Sequence, residues 1–386
     1  MGRLIRWTFL FAVAFSGCTD RAPEWAGRIH EGSGVYRVEN PVDPLAGIGE
    51  VSAVERWSST GPVGDNFWEA PNKLHVLGDR IYMVDRRASR VHLITTDGEL
   101  LPSLGEPGEG PGQYRRLVDA IPSAVGLFVV DGGNGRIDLL TDEGTLASSF
   151  RLERVVFSAV KLGEGAIAVS GVLGSEQGWV SFDASGDPQP IVFPEFEVPV
   201  DYTGPISSVS TRGEKLVRLR YTTPQLRMYS AAGELKKVVD IPLPMEVATE
   251  EEVEDVVREV TSFLVEDGLP SDVIRQQADR VRSMPREKLL FRKVVFDDDS
   301  GMMGIWEQNP EDFGPGPASL HLLSSDGIYL AAVDFPQPWA DFALSGGVLY
   351  VLSRDPETDL VNLVAHDLVF PPGLLDRARE LAQAGG

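Results

Sequence analysis

A chain of 386 residues, 42% hydrophobic and 24% charged, has the composition of an ordinary globular fold and enough apolar material for a core without metal or disulfide support. Its formal net charge of −23 gives a surface that repels phosphate backbones and anionic head groups, which excludes nucleic acid as a partner and serves solubility. The single cysteine excludes an intrachain disulfide.

The first element is a leader. Arg3 and Arg6 precede an apolar run from Trp7 to Phe15, interrupted by Thr8. The run is short of the roughly 20 residues that cross a bilayer, so residues 1–17 are predicted to be an export signal. Phe15-Ser16-Gly17-Cys18 resembles the lipobox of bacterial lipoproteins, with Phe where Leu is usual. The resemblance implies cleavage before Cys18 and its acylation. Thr19, where Asp would favour retention at the inner membrane, implies the periplasmic face of the outer membrane. Several acyl chains suffice for stable anchoring, so the membrane is an expected partner, reached through those chains alone. Residues 18–34 lack periodicity and are expected to be a tether, with a folded domain over 35–372.

Within that domain, residues 51–58 have strand character, and from 73 onward a weak unit recurs about every 46 residues. Residues 73–105 and 117–152 both read as strand, turn, strand ending in Asp, basic turn, strand, Asp/Gly turn, strand. Alternating apolar positions face neighbouring sheets, and Asp/Asn-Gly pairs supply the positive φ of tight hairpins. Further units are predicted at 156–194, 206–243, 290–336 and 339–370. Turn glycines 98, 144, 186 and 233 lie 46, 42 and 47 apart, and 233 to 327 is 94, one period plus an insertion. That insertion, 246–287, is predicted to be a helical hairpin. Thr249 and Glu252 form a capping box before Val253, Val256, Val257, Val260, Phe263 and Leu264; Ser271 caps a second helix with Val273, Ile274, Ala278 and Val281 inward. The last unit has three convincing strands, and 51–58 is expected to supply its fourth. Residues 373–386 are a tail with a short helix.

A period of this length means a propeller or a solenoid, and closure by a terminal strand removes exposed edges. The expected class is therefore all-β, a six-bladed β-propeller. The second unit carries Gly108-Glu109-Gly110-Pro111-Gly112-Gln113-Tyr114, Val129-Val130-Asp131, Asn134-Gly135-Arg136-Ile137 and Asp142-Glu143-Gly144, which resembles the NHL repeat; Val84-Asp85, Arg90-Val91 and Asp97-Gly98 match in part. With the lipobox, the chain resembles six-bladed propeller lipoproteins with degenerate NHL-like blades. Related six-bladed propellers include gluconolactonase-like hydrolases and lyases, so the resemblance leaves catalysis open.

The residues themselves show no G-x-S-x-G elbow, no H-x-x-x-H spacing among the five histidines, no phosphate loop in Gly105–Gly112 and no EF-hand in Asp297-Asp298-Asp299-Ser300-Gly301, which reads as a hairpin turn. No catalytic, cofactor or metal residue is assigned. Propeller ligands meet the tunnel mouth, near the starts of the innermost strands. The candidates there are Trp68, Asn72, Lys73, His75, Asp119, Tyr202, Arg292, Lys293, Trp339 and Asp341. The preferred reading is a monomeric, non-enzymatic, lipid-anchored module that binds or scaffolds an envelope protein or a small polar ligand. The alternative is a metal-dependent, lactonase-like hydrolase or lyase at the tunnel mouth.

Overall fold

Tight turns set the frame. Asp97-Gly98 and Glu143-Gly144 reverse the chain between the third and fourth strands of their units, with glycine φ angles of 91° and 79° that a side chain rarely adopts. A Cβ at Gly98 would also press on the Trp57 ring at 3.0 Å.

The computed structural model describes residues 25–47, 49–60, 68–153, 155–173, 176–191, 209–210, 215–219, 225–230, 234–243, 247, 249–266, 270–283, 291–297, 299–308, 318–335, 339–355, 358 and 360–385. The chain opens with β1 (Arg28–Gly32), β2 (Val35–Glu39) and β3 (Ser52–Thr60). Blade one is β4 (Pro71–Leu77), β5 (Arg80–Asp85), β6 (Arg90–Thr95) and β7 (Leu100–Leu104). A short parallel pair, β8 (Glu106–Pro107) and β9 (Gln113–Tyr114), leads to blade two: β10 (Leu117–Ser123), β11 (Gly126–Asp131), β12 (Arg136–Leu140) and β13 (Leu146–Arg151). Blade three is β14 (Val155–Leu162), β15 (Ala166–Leu173), β16 (Glu176–Asp183) and β17 (Gln189–Ile191). Blade four is β18 (Val209–Ser210), β19 (Lys215–Leu219), β20 (Gln225–Tyr229) and β21 (Leu235–Asp240). Helices α1 (Glu250–Glu266) and α2 (Ser271–Ser283) intervene. Blade five is β22 (Phe291–Phe296), β23 (Met303–Gln308), β24 (Ala318–Leu323) and β25 (Tyr329–Phe335). Blade six is β26 (Trp339–Ser345), β27 (Val348–Arg354) and β28 (Val361–Val369), and α3 (Leu374–Gly385) ends the chain. The innermost strands meet in the order β4, β10, β14, β18, β22, β26 and back to β4, which closes a six-bladed propeller.

The expected closing strand is present. β3 pairs antiparallel with β28 as the outer strand of blade six, from Asn362↔Thr60 to Val369↔Ser52. Arg56 holds Asp367 at 2.6 Å, and Trp57 donates its indole N–H to the Thr96 carbonyl of blade one at 2.9 Å, so this strand ties the last blade to the first.

The expected tether needs correction. Residues 28–32 form β1, and β1 and β2 extend blade four: β2 runs parallel to β21 from Tyr36↔Lys237 to Glu39↔Asp240. Asn40 then donates to the carbonyls of Asp240 and Gly327 at 3.1 and 2.8 Å and accepts from the Tyr329 amide at 2.8 Å. Leu45 and Ala46 donate to the carbonyls of Tyr329 and Leu330, both at 3.0 Å. The segment therefore straps blades four, five and six before closing the ring. α3 lies over β1, with Leu374 and Ala378 buried and the Tyr36 hydroxyl on the Ala382 carbonyl at 3.3 Å.

The helical hairpin forms where the capping box predicts it. The Thr249 amide and hydroxyl donate to Glu252 at 2.7 and 2.8 Å, and the Glu252 amide returns to the Thr249 hydroxyl at 3.3 Å. Arg282 grips Glu254 across the two helices at 2.7 and 2.9 Å. Val257 and Ala278 are buried, while Val265 is 61% exposed.

The Asp at the end of the second strand is the working letter of the repeat. Asp85 accepts from the amides of Glu69 at 2.7 Å, Ala70 at 3.2 Å, Arg87 at 3.1 Å and Ala88 at 3.0 Å. Asp131 accepts at the same sequence offsets, from Arg115, Arg116, Gly133 and Asn134. One buried carboxylate thus fastens the entry of the innermost strand to the following hairpin. Burial works against ionisation of Asp85, yet its bonds with His92 and with the Ala88, Ala70 and Glu69 amides hold its carboxyl below the usual range. The Gly-Pro connector is held in turn. Arg136 donates to the carbonyls of Glu109, Gly110 and Gln113, and Asn134 to that of Gly108.

Candidate functional site

A shared β-bulge builds the tunnel wall. In five blades the register slips near the start of the innermost strand: Pro71/Lys73, Leu117/Asp119, Val156/Ser158, Phe291/Lys293 and Trp339/Asp341. The side chain after the bulge is therefore Lys73, Asp119, Ser158, Lys293 and Asp341 at equivalent stations around the tunnel. A bulge re-aims the residues beside it, and in these five blades it recurs in the strand nearest the axis.

These groups link blade to blade. The Lys293 ammonium donates to both Asp341 oxygens at 2.7 and 2.8 Å and to the Phe342 carbonyl at 2.9 Å, joining blades five and six. Asp341 accepts from the Leu74 amide at 2.7 Å, joining six to one. His75 Nε2 meets Asp119 Oδ1 at 2.7 Å, joining one to two. Asp119 also accepts from its neighbour, the Ala120 amide, at 2.8 Å.

The electrostatics follow from burial and proximity. Burial opposes ionisation of Asp119, but the charge and hydrogen bond of His75 and the charge of Lys73 outweigh it, and its carboxyl lies below the ordinary range. An ionised Asp119 only accepts, so His75 Nε2 carries a proton and donates it to Oδ1. The imidazole is 23% exposed above a carboxylate that is 2% exposed. Burial pushes Lys293 below its ordinary value; Asp341 pulls the other way, and Lys73 adds like-charge repulsion. Lys73 feels Asp119 and Lys293 through space, but among the described residues no hydrogen bond or ion pair reaches its ammonium.

The structure gathers five of the sequence candidates: Lys73, His75, Asp119, Lys293 and Asp341. Asn72 is the bulge residue and is exposed. Trp68 and Trp339 are corrections. Trp68 is 2% exposed and packs with Leu74, Ile81 and Tyr350 between blades. Trp339 is 3% exposed, its ring centroid 4.5 Å from Phe335, 5.6 Å from Phe342 and 5.9 Å from Trp306. Both precede the bulge, and one inserted residue turns the chain from the apolar face to the tunnel wall. Arg292 occupies a bulge position in β22, and its side chain lies outside the description, as does all of Tyr202. Ser158 escaped sequence reasoning because a lone serine in an apolar strand carries no signal until the bulges align the blades.

Among the described residues no three His, Cys, Asp or Glu side chains converge as a metal site would need. A second concavity of about 680 Å³ lies under the N-terminal strap, between Val42, Val51, Tyr329, Phe335 and His366. It is mostly apolar, and burial lowers the basicity of His366 against the opposing charge of Glu55.

Six blades around a tunnel with a charged inner wall define this chain as a six-bladed β-propeller. No family model and no curated protein matches the sequence. Among solved structures, a member of the DUF4221 family from Bacteroides vulgatus superposes with a TM-score of 0.57 at 10% identity, over 83% of this chain and 99% of that one. A Bacteroides fragilis protein described as exported superposes with a TM-score of 0.50 at 11% identity, over 83% of this chain and 95% of that one. A virginiamycin B lyase from Staphylococcus aureus reaches 0.43 at 13% identity, over 81% and 98%. These likenesses are of fold.

Proposed function

We propose that this protein is an exported propeller, anchored through acylated Cys18 at the periplasmic face of the outer membrane, that binds a small polar ligand at its tunnel mouth. The observation that carries the binding reading is the inner wall itself. Among the described residues, Asp119, Lys293 and Asp341 are engaged in contacts between blades, whereas no hydrogen bond or ion pair reaches the Lys73 ammonium, two residues from His75 on the same strand. The test is hydrogen exchange on the mature protein with and without the low-mass fraction of its own cell extract. Protection concentrated in 71–77 and 117–123 is expected; protection confined to outer strands, or none, overturns the reading.

The anchoring reading rests on Phe15-Ser16-Gly17-Cys18 and Thr19. Labelled palmitate is expected to enter the wild-type protein and to be absent from Cys18→Ala, which should fractionate away from membranes. Equal labelling of the two sinks this part alone.

A second reading, a hydrolase or lyase, has one observation in its favour. A buried carboxylate that orients a partly exposed imidazole is an arrangement for general-base chemistry. Its metal-dependent form needs a ligand set that the described residues do not bring together.

A further inference from the structure

The concavity under the N-terminal strap takes no part in the tunnel reading, and its walls define a separate site. It lies in the outer cleft between blades five and six: Ala332, Val333 and Phe335 come from β25, Ala53 from β3 and His366 from β28. Its volume of about 680 Å³ is that of a small-molecule pocket, and such pockets are mainly apolar with a few placed polar groups. We propose that this cleft binds a small, uncharged, mainly apolar molecule through a single hydroxyl seated on His366. The polar groups on the wall select that chemistry. Two are already engaged: the Tyr329 hydroxyl meets His321 Nδ1 at 3.0 Å, and Asp334 accepts from the Ser319 hydroxyl at 2.6 Å. His366 is different. Its Nδ1 is sealed from solvent without a partner, and among the described residues no hydrogen bond reaches Nε2. Phe335 stands edge-on to the imidazole, 5.5 Å between centroids. With Nδ1 sealed, a ligand in the cleft meets the ring through Nε2. A hydroxyl fits that atom in every protonation state, because it accepts from an N–H and donates to a bare lone pair. A carbonyl fits only the first case and an ammonium only the second. A carboxylate would also accept, but Asp43 and Asp334 line the cleft and Glu55 lies opposite His366 on β3, while no Lys or Arg is among the described lining residues. An anion there meets like charge on every side that carries any.

Fluorescence titration of the mature protein with naphthol, naphthalene and naphthoate separates the contributions of hydroxyl and charge. Naphthol is expected to bind about fivefold or more tightly than naphthalene, the scale of one hydrogen bond, and naphthoate about tenfold or more weakly than naphthol. His366→Phe should keep naphthalene binding and erase the preference for naphthol. Ala53→Trp and Ala332→Trp, made separately to fill the cleft from either blade, should each abolish binding of both, with thermal unfolding used to confirm that each variant is folded. Hydrogen exchange with saturating naphthol should protect 51–54 and 329–335. Absence of naphthol binding, naphthalene or naphthoate binding as tightly as naphthol, a preference that survives in His366→Phe, or naphthol binding unchanged in the folded Trp variants overturns the proposal. Protection confined to 71–77 and 117–123 puts the probe in the tunnel, which sinks the cleft site and leaves the tunnel reading standing.

Discussion

Replacing Asp85 by alanine is expected to cost about 3–5 kcal/mol, the range found when one member of a buried charged cluster is removed. The four amides it satisfies, from Glu69, Ala70, Arg87 and Ala88, would lose their acceptor, and His92, with Nε2 3.5 Å from the carboxylate, would lose its polar neighbour. Asp131→Ala should be similarly damaging, because Asp131 serves the same four offsets in blade two. Asparagine is a milder test: it keeps one accepting oxygen and presents two donors where only acceptors are useful. Urea denaturation at neutral pH measures all three variants. A loss below about 1 kcal/mol for Asp85→Ala, the net worth of a single ordinary hydrogen bond, would show that the repeat's Asp does not fasten the blade.

The second large effect concerns Asp341. Its removal strands the Lys293 ammonium in the tunnel wall and orphans the Leu74 amide, so Asp341→Leu is expected to cost about 3–5 kcal/mol. Lys293→Met in the same protein should recover most of that loss, since exchanging a buried pair for apolar groups is often neutral or better. The double-mutant cycle in denaturant reports the coupling directly. Additive losses would mean that the two side chains do not depend on one another, contrary to the 2.7 Å contact.

Much of the architecture is legible before any coordinates because it is written in local chemistry. Gly98 and Gly144 mark hairpins, Thr249 and Glu252 mark a helix start, and the missing strand of the last blade points to β3. What escapes is non-local or depends on a single inserted residue. The pairing of β2 with β21 joins segments about two hundred residues apart, and nothing in Tyr36–Glu39 names its partner. The bulge at Ala340 separates Trp339 from Asp341, so two residues that strict alternation would put on one face end in different surroundings. Of the site, the acids, the imidazole and the lysines could be named from their places at strand starts. Their division into paired and unpaired groups could not, because it depends on which blade each side chain reaches.

The strap has a mechanical consequence. A pull entering at the N-terminus meets β1 and β2 on the flank of blade four, then the Asn40 clasp, and only afterwards the β3 seam that holds the ring shut. The outlying hairpin would peel first, as a sacrificial hinge. The seam would stay unloaded until that slack was spent, so the wheel would not be the first part pried apart.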